Sequence, residues 1–207
     1  IVSKWIVRIP IFLVVVLGIA VAFTLYKFNQ NDNKNDKIIL ELTRHVYEIN
    51  AKLENSPERI EFLSFADSII AKNPKSDLET AERALLVNYI WNYSKQFNVD
   101  EYMILALLEE ESGFRKNAVS PTNARGIAQF LGSTFLMCSY LLHDNISKEN
   151  IFDLDKQVKY CCFYVKLLYD DCNDWKLALT RYNVGTVNYV NEYAIRIMVR
   201  KEKYNGR

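Results

Sequence analysis

Seven consecutive residues, Tyr102-Met103-Ile104-Leu105-Ala106-Leu107-Leu108, carry no charge, and Glu109, Glu110 and Glu111 follow them directly. The stretch reads as an apolar helix with acids at its end, closed by Ser112-Gly113-Phe114. An acid in that position is costly to keep ionised. A carboxyl that holds its proton near neutral pH can protonate a leaving group.

Helical spacing puts residues three and four apart on one face. Glu111 lies over Leu107 and Leu108, with Ile104 a further turn back and Phe114 a turn ahead. Glu110 follows Ala106 and Leu107, and Glu109 follows Leu105 and Ala106. The surroundings are most apolar for Glu111, by a modest margin. Spacing alone favours a solvated helix end over a catalytic acid, since that is what a charge run usually is.

The chain has 207 residues, 50% of them apolar, and a net charge of +1. It is long enough for one substantial domain with an appendage, and no basic excess points to nucleic acid. Few Gly and Pro favour helices with short connections. Residues 9–26 form an uncharged run of about eighteen residues, enough to span a bilayer core. Lys4 and Arg8 precede it, and the polar stretch 29–36 follows. Its length and the flanking Trp5 and Tyr26 favour a transmembrane anchor. Ala20-Val21-Ala22 leaves a cleaved signal peptide as the alternative. Either way the remainder is expected outside the cytoplasm.

Cys138, Cys161, Cys162 and Cys172 all lie in the C-terminal half. An oxidising compartment permits disulfides between them, and buried free thiols are an equal alternative. His45 and His143 are the only histidines, and no Cys/His spacing suits zinc, so neither metal nor cofactor is expected.

Apolar periodicity predicts a helix over 38–53. Ser56-Pro57-Glu58 opens a helix toward Ala71, and Pro74 follows its end. Ser76 with Glu79 reads as a capping box for a helix over 77–97. Asp100 caps the apolar helix. Helices are further expected over 133–142, 155–169, 175–182 and 187–201, with at most a small β element within 117–129. Residues 1–28 are expected to form the anchor or signal, 29–80 a linker with juxtamembrane helices, and 81–207 the main folded domain, which carries the acidic cluster. Whether the early helices form a stalk or pack on that domain is open.

Glu111-Ser112-Gly113-Phe114 resembles the Glu-Ser-x-Phe signature of lytic transglycosylases with the soluble-transglycosylase, goose-lysozyme-like domain. Asn117-Ala118-Val119-Ser120 resembles the Asn-x-x-Ser stretch that follows there, and Gly126-Ile127-Ala128-Gln129-Phe130 its Gly-Leu-Met-Gln segment. Ala178-Leu179-Thr180-Arg181-Tyr182-Asn183-Val184-Gly185 is similar to its Ala-Tyr-Asn-Ala-Gly segment, and Phe97-Asn98-Val99-Asp100 to the entry into its catalytic helix. Order and spacing agree over residues 87–190, about half the chain. Ala128 stands for the usual Met, Arg181 and Val184 for small residues, and Leu154 and Gln157 for the Pro and Asn after Asp153.

The resemblance implies a mainly α, lysozyme-like catalytic domain that cleaves the bond between N-acetylmuramic acid and N-acetylglucosamine in peptidoglycan. Glycosidases generally use two carboxylates; here Glu111 is expected to act first as acid and then as base, closing a 1,6-anhydro ring. Ser120 and Gln129 are expected near the reacting sugar, Tyr182 with its hydroxyl by Glu111 or the scissile bond, and Asn183 at the turn presenting Tyr182. Aromatics such as Phe130, Trp175 and Tyr189 either line the sugar groove or, as is commoner, fill the core. The implied setting is the bacterial cell envelope, anchored in the cytoplasmic membrane, or secreted if the leader is removed. Glycan strands are the expected partner, alongside a secretion or cell-envelope assembly. Two other functions fit the motifs: a goose-type lysozyme using Asp153 or Asp155 to position water, and a non-catalytic wall-binding scaffold.

Overall fold

The computed structural model describes residues 56–144 and 146–206, together with residues 41 and 44. The apolar run 9–26 lies outside these residues, as does most of the helix expected over 38–53, of which Glu41 and Arg44 are helical. Among the described residues no helix is long and apolar enough to cross a membrane. Residues from Phe62 to Arg207 form one compact unit.

Seven α-helices build the described part: α1 (Pro57–Lys72), α2 (Thr80–Phe97), α3 (Glu101–Ser112), α4 (Gly132–Leu141), α5 (Leu154–Cys172), α6 (Trp175–Val184) and α7 (Glu192–Asn205). A 3-10 turn, Lys148–Phe152, precedes α5. Extended pairing among the described residues is limited to two isolated bridges, Val119 with Arg125 and Arg125 with Phe130. These lie where the sequence allowed a small β element.

Helix α3 is the axis of the fold. Asp100 opens it by accepting from the Met103 N–H at 2.9 Å, and Gly113 closes it in the left-handed region at φ 63°. Between those caps Ile104 to Leu108 are all fully buried. Each large aliphatic there contributes roughly 1.5–3 kcal/mol of burial. Helices α2 and α7 pack on α3, α5 lies against α2, α4 and α6, and α6 meets α7. Within the compact unit, Phe62, Ala66 and Ile70 of α1 join this core. The Phe62 ring packs edge-on to Tyr102 at 5.2 Å, so the part of this helix from Phe62 onward belongs to the interior of that unit.

Two helix starts differ from expectation, each because a nearer cap wins. Helix α2 begins at Thr80, where Glu82 accepts from the Glu79 N–H at 3.0 Å in the capping box that Ser76 was expected to begin. Helix α7 begins at Glu192, because Asn191 accepts from the Ala194 N–H at 3.0 Å. Residues 185–190 are therefore a connecting segment.

Candidate active site

Glu111 occupies the last turn of α3, where its apolar neighbours are buried side chains. Burial pushes its carboxyl up to about 7; the Tyr193 hydroxyl, which donates to Oε1, pulls the other way, and the adjacent Glu110 charge adds to the rise. Cys161 of α5 and Tyr182 of α6 also feel the Glu111 charge. The result is a carboxyl that is half-protonated near neutrality.

The other two glutamates are occupied. Glu110 accepts from Arg196 Nε at 2.8 Å and Arg200 Nη1 at 3.0 Å. Burial acts to raise its pKa, but the two guanidiniums outweigh it and hold the carboxyl below the usual range. Glu109 accepts from Asn73 Nδ2 at 3.1 Å and from the Tyr204 hydroxyl, and lies 3.2 Å from Arg200 Nε. One face of α7 thus neutralises Glu109 and Glu110 and sets Tyr193 on Glu111.

The loop carrying Gln129 is held from below by Gln157, a fully buried amide. Gln157 Oε1 accepts from the Ala128 N–H at 2.8 Å, while Nε2 donates to the Arg125 carbonyl at 3.2 Å and to that of Ile151. Gly126, at φ 78°, leaves room for this amide: a Cβ there would come within 2.5 Å of the Gln157 side chain. Gln129 itself sits at φ 52°, an uncommon conformation for a residue with a side chain. Its Nε2 donates to the Gly126 carbonyl at 2.8 Å and the Ala118 carbonyl at 3.3 Å, which fixes that conformation.

Ser120 belongs to the neighbouring turn. Its Oγ accepts from the Ala124 N–H at 3.0 Å and lies 2.9 Å from Thr122 Oγ1. The Tyr182 hydroxyl donates to the Ala128 carbonyl at 2.8 Å and lies 3.8 Å from Cys161 Sγ. Its ring packs against Phe130 and Tyr164 at 5.9 and 5.5 Å, seating the same loop. Asn183 is exposed at the end of α6, where its Oδ1 accepts from Asn191 Nδ2 at 3.2 Å.

The hydroxyl on Glu111 is therefore that of Tyr193, which the sequence reading did not select. The available signal was Asn191, a good N-cap residue two positions earlier. All four cysteines are free thiols; Cys138, Cys161 and Cys162 are buried, and burial lifts their pKa values. No cluster suited to a metal ion occurs among the described residues. Of the aromatics considered for a groove, Phe130 is core and Trp175 stacks on Tyr169 at 3.9 Å, whereas Tyr189 is 59% exposed.

A helical unit that keeps one carboxyl desolvated and ties up its two neighbours fits the lysozyme-like class of catalytic domain. The chain belongs to the transglycosylase SLT domain family, whose model matches residues 88–204. Among solved structures it is similar to an inactive glutamate-to-glutamine mutant of the lytic transglycosylase Slt from Pseudomonas aeruginosa, with a TM-score of 0.51 and 16% sequence identity. That match covers 57% of this chain and 24% of the Slt chain. At that identity the likeness speaks for the fold.

Proposed function

We propose that this chain is a peptidoglycan lytic transglycosylase in which Glu111 alone serves as acid and base. The observation carrying this reading is the state of the three glutamates: Glu111 is raised to about 7 by burial, while Glu109 and Glu110 are held by α7. In the first step protonated Glu111 gives its proton to the glycosidic oxygen between N-acetylmuramic acid and N-acetylglucosamine. The substrate's N-acetyl oxygen stabilises the positive C1. Ionised Glu111 then takes the proton of the C6 hydroxyl, which attacks C1 and closes the 1,6-anhydro ring. The proton count on Glu111 is restored and no water is consumed.

Tyr193 steadies the ionised form between these steps by donating to Oε1. Ser120, Gln129, Tyr182 and Asn183 form the saccharide-facing set, with Tyr182 acting through the Ala128 carbonyl and its aromatic neighbours. A hydrolase needs a second group to position water. Asp153 caps α5 by accepting from the Lys156 N–H at 3.1 Å, and Asp155 accepts from the Tyr93 hydroxyl at 2.5 Å and pairs with Lys156. These commitments favour the transglycosylase over the goose-type hydrolase. A desolvated acid disfavours the pure wall-binding scaffold, which has no use for one. We further place the protein in the bacterial cell envelope, held by residues 9–26 in the cytoplasmic membrane with its catalytic unit outside, beside its polymer and any secretion or envelope assembly it serves.

Wall-clearing activity of the purified protein on isolated peptidoglycan tests the assignment. Glu111→Gln is expected to abolish clearing with the helical circular dichroism unchanged, while Glu109→Gln retains most activity. A fully active Glu111→Gln protein overturns the assignment.

A further inference from the structure

Arg181 departs from the small residue of the motif that this stretch resembles, and nothing in the reaction scheme requires it. The residue is buried although charged, at 8% exposure. Its guanidinium makes three hydrogen bonds to two separate stretches of chain. Nη1 donates to Asp171 Oδ2 near the end of α5 at 2.5 Å, Nε to the Val187 carbonyl at 3.0 Å, and Nη2 to Asn188 Oδ1 at 3.3 Å. Two of these contacts hold the connecting segment 185–190, which is otherwise largely exposed, with Tyr189 at 59% and Val190 at 39%.

The neighbouring residues of α6 hold the end of the same segment. Thr180 Oγ1 accepts from the Asn191 N–H at 3.1 Å, and Asn183 accepts from Asn191 Nδ2 at 3.2 Å. Asn191 is the N-cap of α7, and Tyr193 lies in the first turn of that helix. A helix transmits a shift of its first turn to the side chains that the turn carries. Residues 180, 181 and 183 thus form a bracket on α6 that fixes where α7 begins, and the start of α7 fixes the Tyr193 hydroxyl on Glu111.

We infer that Arg181 is a positioning residue for the reaction: it clamps the 185–190 segment so that the first turn of α7 delivers the Tyr193 hydroxyl to the catalytic carboxyl. The inference rests on Glu111 being the catalytic acid. It acts through geometry, since the clamp lies on α6 and the segment after it, and its effect reaches Glu111 only through Tyr193. Around that carboxyl the other titratable groups are Glu110 on α3, Cys161 on α5 and Tyr182 on α6, none of which is bonded to Arg181. Loosening the clamp weakens the one hydroxyl bond that favours ionised Glu111, so the proton on Glu111 is held to higher pH.

The test compares Arg181→Ala, Arg181→Lys and Asn188→Ala in the full chain by two readouts. Steady-state cleavage of isolated glycan strands gives kcat, KM and the pH profile. A 13C titration of the Glu111 carboxyl, identified by its absence in Glu111→Gln, needs no substrate and reads the clamp even if the protein cleaves nothing. For Arg181→Ala, kcat is expected to fall on the order of tenfold with KM little changed, and the Glu111 titration to move to higher pH. Arg181→Lys keeps the charge facing Asp171 but cannot bridge Val187 and Asn188, and is expected to behave like the alanine variant. Asn188→Ala, at an exposed position that does not threaten folding, moves both readouts the same way by less, and decides the matter if Arg181→Ala fails to fold. A variant set that only melts earlier, with wild-type kcat and an unmoved Glu111 titration, overturns the inference, as does full rescue by lysine.

Discussion

Glu111 is set apart from its neighbours by what each carboxyl touches. Glu109 and Glu110 each meet guanidinium nitrogen, whereas Glu111 meets a tyrosine hydroxyl and apolar side chains. Activity that needs protonated Glu111 is therefore expected to fall as pH rises, with its basic limb near 7, where the carboxyl titrates. Two substitutions move that limb in opposite directions in a pH–rate profile. Glu110→Gln removes a neighbouring negative charge and shifts it to lower pH; Tyr193→Phe removes the bond that favours ionised Glu111 and shifts it to higher pH, with a lower kcat. An unmoved limb in both would show that Glu111 does not set it.

The same carboxyl makes a stability prediction. Its folded pKa of about 7 lies above the ordinary carboxyl value of 4.5. The folded state thus binds more protons between those values, and stability declines as pH rises through the window. The ionised carboxyl costs the fold on the order of 3 kcal/mol above it. Glu111→Gln is expected to melt at a higher temperature than wild type at pH 8, with the gap closing toward pH 4.5. The sequence pointed to Glu111 through Leu107, Leu108 and Ile104 on one helix face. It gave no register for Tyr193, which meets Glu111 across 82 residues of chain. Contacts of that separation depend on how whole helices dock.

At the scale of elements, the site rests on a loop pinned from below and a helix fixed at its start. Gln157 satisfies one N–H and two carbonyls of the loop and the 3-10 turn in a fully buried setting. Gln157→Ala strands those groups and is expected to cost roughly 2–3 kcal/mol in denaturant unfolding, with reduced activity because Gln129 loses its support. A neutral result would mean that the loop holds itself. In the sequence Gln157 appeared only as a departure from an expected Asn; its role depends on Gly126 leaving space for it. Helix existence was legible throughout the described chain, because apolar periodicity reports on it directly. Helix starts were less so: Ser76 and Glu79 are both credible caps by residue type, and the choice between them depends on where Glu82 reaches back.

At the scale of the whole molecule, the described residues form a helical unit with no extended sheet, in which α7 brings Tyr193 to the Glu111 carboxyl of α3 and α6 brings Tyr182 within reach of its charge. The ordered motifs made the family legible before any geometry was known, and the family model matches residues 88–204. The motifs singled out Glu111 among three consecutive acids; what they could not convey is that Arg196 and Arg200 of α7 hold the other two. The central proposal, one carboxyl working twice without water, has a direct test in the fate of solvent oxygen. Peptidoglycan digested by the purified protein in 18O-enriched water and analysed by mass spectrometry should yield 1,6-anhydro-muramyl ends carrying no label. Reducing ends that carry one 18O atom would contradict it and make the enzyme a hydrolase.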